Sequence, residues 1–255
     1  MKKALKEFER LLQIMDELRD KCPWDKKQTI ETLRKLTIEE TYELADAIMN
    51  NDLQEIKKEL GDLMLHIVFY SKIGEEKEAF NISDVLSSIN EKLIHRHPHI
   101  FGDVKVNNDE DVKRNWEALK LKEGKKTVLS GVPTSLPALI KANRIQEKVR
   151  GVGFDWDEKE QIWDKVEEEL NELKIEIKKG DIKKIEAEFG DVLFSIINAA
   201  RLYQVEPENA LEKTNRKFIK RFNFLEEKTI KIGRSLHDMN LDEMNKIWEE
   251  AKKHD

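Results

Sequence analysis

Along most of this chain apolar residues return every three to four positions, the period of an amphipathic α-helix. Runs with that period cover residues near 2–20, 29–50, 52–73 and 81–96, with a shorter one around 109–122. Asn50-Asn51-Asp52 interrupts the pattern between the second and third, and Asp52 is placed to cap the helix that follows. The stretch EGKKTVLSGVPTSLP, 123–137, has the Gly, Ser, Pro and Thr content of a linker, and a new helix is predicted from about Ala138.

The pattern then recurs. Residues 38–70, IEETYELADAIMNNDLQEIKKELGDLMLHIVFY, superpose on 167–199, EEELNELKIEIKKGDIKKIEAEFGDVLFSIINA, at an offset of 129 without a gap. Glu39, Glu40, Glu43, Glu59 and Asp62 fall on Glu168, Glu169, Glu172, Glu188 and Asp191. Leu44, Ile48, Asp52, Ile56 and Gly61 fall on Leu173, Ile177, Asp181, Ile185 and Gly190. Matching acids inside matching apolar patterns identify an internal duplication. Three segments result: a first copy at 1–122, the linker at 123–137, and a second copy at 138–255.

The acids occupy positions where leucine would pack. Leu36, Glu40, Glu43 and Ala47 share one helical stripe, and Glu169 lies in another with Ile162, Val166, Leu173 and Ile177. On the next helix Glu59 and Asp62 flank a stripe of Ile56, Leu60, Leu63 and Ile67. Two carboxylates 4 Å apart repel by about 4 kcal/mol at an effective dielectric near 20, so a converging group of them needs a cation. Oxygen-only ligands favour Mg²⁺, with Mn²⁺ as a substitute, and Mg²⁺ commonly partners phosphates. A di-iron bundle calls for Glu-x-x-His on paired helices, and His66 has Ser195 as its counterpart, so His66 reads as packing. The glycines beside the acids, Gly61 and Gly190, are expected to let helices approach closely.

Composition narrows the class. Charged residues make up 38% and aromatics 7%, while 10 Gly and 5 Pro in 255 residues leave few helix breakers, so the fold is expected to be all-α. A net charge of −6 argues against a general nucleic-acid binder. The single cysteine, Cys22, excludes an intramolecular disulfide framework. No apolar run reaches the ~20 residues of a membrane span and no signal peptide is recognisable, so a cytoplasmic protein is expected.

A basic constellation also repeats. Asn90, Lys92 and Arg96 have the spacing of Asn215, Lys217 and Arg221, and side chains of these types hold phosphate oxygens. Each copy closes on Trp-Glu-x-x-Lys, Trp116 to Lys120 and Trp248 to Lys252. Such tryptophans either dock helices or stack on a base. Trp24 in CPWD and Phe154 in GFDW read as entry-loop packing or as pocket wall. The HRHPH cluster at 95–99 lacks a second copy and supports no metal site.

EExxE, then sixteen residues from its last Glu to ExxD, with NxKxxxR downstream, resembles the MazG nucleoside triphosphate pyrophosphohydrolases. ELGDLMLHIVFY, RHPHIFGD and the tandem layout resemble the two-domain bacterial members, over nearly the whole chain. The resemblance implies all-α tandem domains whose four-helix bundles are completed in a homodimer or larger homo-oligomer. It implies Mg²⁺-dependent hydrolysis of NTPs and dNTPs to the monophosphate and pyrophosphate, and a role in cleaning nucleotide pools. By motif, Glu40, Glu43, Glu59 and Asp62, and Glu169, Glu172, Glu188 and Asp191, would bind metal. Glu39 and Glu168 would assist the metal or orient the attacking water. Asn90, Lys92, Arg96, Asn215, Lys217 and Arg221 would hold phosphates, with Trp116, Lys120 and Trp248 at the substrate. The alternative is a non-catalytic helical metal-binding or interaction protein; in a metal-free interaction protein the acids would tolerate replacement.

Overall fold

The computed structural model describes residues 1–106, 108, 111, 112, 115, 116, 119, 127–231 and 233–254. Every regular element among them is helical. Contacts divide the chain into two compact units, Met1–Asn107 and Asn108–Asp255. Of the short helix predicted at 109–122, Asp111, Val112, Asn115, Trp116 and Leu119 are described and helical. No described helix is long and apolar enough to cross a membrane.

The first unit contains α1 (Lys2–Lys21), α2 (Pro23–Lys27), α3 (Ile30–Met49), α4 (Leu53–Glu76), α5 (Ile82–Arg96) and α6 (Pro98–Phe101). Helices α3 and α4 form a hairpin whose turn is set by local chemistry. Asn51 takes the left-handed conformation (φ 53°), and Asp52 Oδ1 accepts from Gln54 N and Glu55 N at 3.0 Å each. Satisfying those free N–H groups starts α4 where the sequence places it. Helix α1 packs on this hairpin through Met15, which joins Leu33, Val68, Phe69 and Ile73 in the core. Lys72 Nζ to Asp16 at 2.6 Å and Arg19 Nε to Glu76 at 2.8 Å fix its register. Helix α5 buries none of its residues.

The second unit contains α7 (Ala138–Arg150), α8 (Ile162–Lys179), α9 (Ile182–Leu202), α10 (Pro207–Lys231) and α11 (Leu241–Ala251). The α8–α9 turn reproduces the first one with different residues: Gly180 supplies the left-handed φ of 76°, and Asp181 Oδ1 accepts from Lys183 N at 3.1 Å. Ile162 and Val166 of α8 pack with Ala199 of α9. Helix α7 is tied to α9 by Gln146 Nε2, which donates to the Phe194 carbonyl at 2.8 Å.

Two readings of the pattern are corrected here. On α4 the buried face is that of Glu59, His66, Phe69 and Ile73, whereas Leu60 (53% exposed) and Ile67 (45%) face outward. The helix is apolar nearly all round below Glu59, so two stripes compete and contact with α1 and α3 selects one. On α8 the expected stripe is buried through Ile162, Val166, Glu169 and Leu173, but Ile177 is exposed at the end of the helix. The second correction concerns the glycines. A Cβ on Gly61 or Gly190 would meet nothing within 4 Å, so among the described residues no helix approaches them closely.

Candidate metal centre

Each helical hairpin brings its acids together across the two helices. Carboxylate oxygens of Glu40, Glu43 and Glu59 lie within 4.8 Å of one another, as do those of Glu169, Glu172 and Glu188. The EExxE spacing places two acids one turn apart on α3 or α8, and the antiparallel partner helix adds the third. Asp62 and Asp191 stand near enough to act on their clusters. Burial pushes the Glu40 carboxyl above the usual glutamate range, and the charges of Asp62, Glu43 and Glu59 push it further. Burial likewise raises the Glu188 carboxyl, followed by the charges of Glu172, Asp191 and Glu169.

The buried acids carry unused coordination capacity. Glu59 is 0% exposed and its Oε2 has no hydrogen-bond partner; Glu188 Oε2 is also buried and unpartnered. Buried carboxylate oxygens without donors are costly. One lysine leans on each cluster, from a different place each time. Lys58 Nζ reaches Glu59 Oε1 at 3.1 Å and Glu55 Oε1 at 2.6 Å. Lys165 Nζ reaches Glu169 Oε1 at 2.7 Å and Glu168 Oε1 at 3.0 Å. One ammonium against three or four carboxylates leaves a surplus of negative charge in both copies. The donor set, all oxygen and partly unpartnered, fits a hard divalent cation.

The remaining expected residues are placed differently. Glu39 is exposed and pairs with Lys35 at 3.3 Å, and Glu168 is exposed on Lys165, so neither joins its three-acid cluster. Asn90 and Lys92 are exposed on α5, with Arg96 half-buried. On α10, Asn215 Nδ2 donates to Glu212 at 3.2 Å and Lys217 is exposed. Arg221 lies over the Trp248 ring, 5.8 Å from its centroid, and Phe218 packs on the same ring at 5.0 Å. Trp248 therefore docks α11 on α10. Trp116 is exposed, and Lys120 lies outside the described residues.

A cavity of about 450 Å³ opens beside the second cluster, with Glu169 and Asp191 on its wall. Phe154 and Trp156 give it an aromatic side, so Phe154 is a pocket-wall residue. Gln146, Asn198 and Arg201 line it as well. Arg201 is held in a fork by Asp155, with Nη1 to Oδ2 at 3.1 Å, and in turn donates to Asn198 Oδ1 from Nε at 3.0 Å and Nη2 at 2.7 Å. None of these polar residues was legible as a site. At the repeat offset Asn198 matches Phe69 and Lys165 matches Leu36, both in or against the first core, so the duplication gave them no signal.

The chain is similar to proteins of known name over nearly its whole length. The MazG nucleotide pyrophosphohydrolase domain matches twice, at residues 28–101 and 157–224. The nucleoside triphosphate pyrophosphohydrolase/pyrophosphatase MazG of Thermotoga maritima is 45% identical over 257 residues, spanning 99% of this chain and 98% of that protein. The nucleoside triphosphate pyrophosphohydrolase of Escherichia coli K12 is 39% identical over 258 residues, spanning 98% of each. Each family match contains one complete acid cluster.

Proposed function

The chain belongs to the MazG nucleotide pyrophosphohydrolase family and is a hydrolase of nucleoside triphosphates; from that premise we propose that each acid cluster holds a divalent cation, Mg²⁺ by preference, and that cleavage falls between the α- and β-phosphates. The observation that carries this is the same three-carboxylate cluster built twice, each with an unpartnered buried oxygen.

A divalent cation bound there supplies charge neutralisation for the triphosphate and acidity for the attacking water. The chain's residues do the rest. Glu40, Glu43 and Glu59 with Asp62, and Glu169, Glu172 and Glu188 with Asp191, hold the cation side of the site. Glu39 and Glu168, one residue before the first ligand of each set, are exposed, and each would orient water once Lys35 or Lys165 releases it. Arg96 and Lys92, with Arg221 and Lys217, offer cations to the phosphates. In the second copy the aromatic wall of the cavity, Phe154 and Trp156, takes the nucleoside.

We also infer that the chain acts as a homodimer. Helix α5 buries nothing, and Leu86, Ile89 and Leu93 on it, Leu60 and Ile67 on α4, and Leu193 on α9 are all exposed. Apolar faces of that extent are characteristic of helices that pack against another subunit.

The test is product identity. Purified protein with Mg²⁺ and a panel of NTPs and dNTPs is expected to release monophosphate and pyrophosphate, and to stop when a chelator is added. Diphosphate and orthophosphate as first products would overturn the assignment.

A further inference from the structure

Gln146 lies deep in the cavity beside the second acid cluster and is 3% exposed. Its amide orientation is fixed: the group facing the Phe194 carbonyl must be a donor, so Nε2 points there and Oε1 points away. That Oε1 is buried and has no hydrogen-bond partner. A buried acceptor left unpartnered in a cavity wall is costly, and a ligand that displaces the side chains covering it supplies the missing donor. Asn198, four residues beyond Phe194 on α9, completes the wall at about one turn's distance. Arg201 holds its Oδ1, so its amide N–H groups are the ones left for the cavity. Asp155 locks Arg201 in turn.

We propose that Gln146 is a specificity-determining residue of the second copy: its Oε1 accepts a hydrogen bond from the nucleoside of the bound triphosphate. The inference rests on the reading of the second cluster as a triphosphate-hydrolysing site. The shared chemistry is an N–H or O–H donor, carried either by the exocyclic amino group of the base or by the 3′-hydroxyl of the sugar. Geometry sets the class. The cluster at Glu169 and Asp191 fixes the phosphate end at the wall of the cavity, and Phe154 and Trp156 provide a surface on which a flat ring stacks. Gln146 and Asn198 then form a polar pair on the same wall, an acceptor beside a donor. The first copy has no equivalent pair. Its counterpart of Asn198 is Phe69, 2% exposed in the core, so the pair is a property of the second copy alone.

A purely structural Gln146, serving only to tie α7 to α9, would affect all nucleotides equally. The experiment therefore measures ratios, which do not depend on how much of a preparation is folded. In full-length protein carrying Glu59→Gln to silence the first cluster, kcat/KM is measured with Mg²⁺ for ATP, ITP and 3′-deoxy-ATP, before and after Gln146→Met. ITP replaces the 6-amino donor by an oxygen; 3′-deoxy-ATP removes a sugar hydroxyl. Before the change, ATP is expected to exceed one of these analogues by roughly tenfold or more, because a buried acceptor rejects a ligand that lacks its donor. Gln146→Met is expected to bring that same ratio close to one. Loss of the ATP-to-ITP ratio identifies the base as the donor, and loss of the ATP-to-3′-deoxy-ATP ratio identifies the sugar. Equal kcat/KM for all three with Gln146 in place, or ratios that Gln146→Met leaves unchanged, would overturn the proposal while sparing the hydrolase reading. Should Gln146→Met not fold, the ratios with Gln146 in place decide alone. Absence of turnover with every triphosphate in this background would overturn the reading of the second cluster as a hydrolysing site and this inference together.

Discussion

At the scale of residues, both copies hold acids where apolar side chains would pack. Glu40 and Glu188 have carboxyl groups raised by burial first and by neighbouring carboxylates second. In the metal-free protein the folded state therefore holds these protons more tightly than the unfolded chain does. The stability they contribute is complete below the ordinary glutamate pKa and is lost as pH rises through the raised folded value. Replacing Glu188 by Gln keeps the shape and removes the charge, so the sign of its effect follows. Without metal, Glu188→Gln is expected to melt with the unaltered protein near about pH 4 and above it near about pH 7. With Mg²⁺ the order at about pH 7 should reverse, and turnover at the second copy should fall by about 100-fold or more. Thermal melting across pH, with and without Mg²⁺, checks the first part, and NTP turnover in a Glu59→Gln background checks the second. A variant that melts below the unaltered protein at neutral pH without metal would mean that Glu188 is a structural pairing partner.

At the scale of elements, the helices and their turns follow closely from local chemistry, since Asp52 and Asp181 cap where the pattern breaks and Asn51 and Gly180 take the left-handed turn residue. The stripe on α4 was not legible, because its apolar residues surround the helix and only contact with α1 and α3 decides that Glu59, His66 and Phe69 go in. The second-copy cavity was hidden for a different reason. Gln146, Asp155, Asn198 and Arg201 come from separated segments, and residues unlike the first copy's Phe69 and Leu36 break the repeat there. Among the described residues nothing lies within 4 Å of a Cβ built on Gly61 or Gly190, so close packing against them does not account for these glycines. Gly61→Ala and Gly190→Ala are each expected to raise unfolding stability by about 0.5–1 kcal/mol, the ordinary helix-interior difference. Denaturant melts measure this. A loss of stability at either position would place a partner helix over that face.

At the scale of the whole molecule, two copies of one helical unit carry two acid clusters, and their surroundings have diverged. Phe69 closes the first copy's core where Asn198 opens the second copy's cavity, and Lys58 and Lys165 approach the acids from unrelated positions. For the proposed homodimer, light scattering at micromolar concentration is expected to give twice the chain mass of 30.0 kDa. Leu193, 60% exposed on α9, tests the contact: Leu193→Glu should shift the mass toward the monomer without lowering helix content. A stable monomer of the unaltered chain would remove the dimer from the account. The central claim, that both clusters are metal sites, is tested most directly by counting bound Mn²⁺ with electron paramagnetic resonance. The unaltered protein should bind ions at two independent sets of sites, Glu59→Gln and Glu188→Gln should each lose one set, and the double variant should lose both while remaining folded. Full Mn²⁺ binding by the folded double variant would contradict the account.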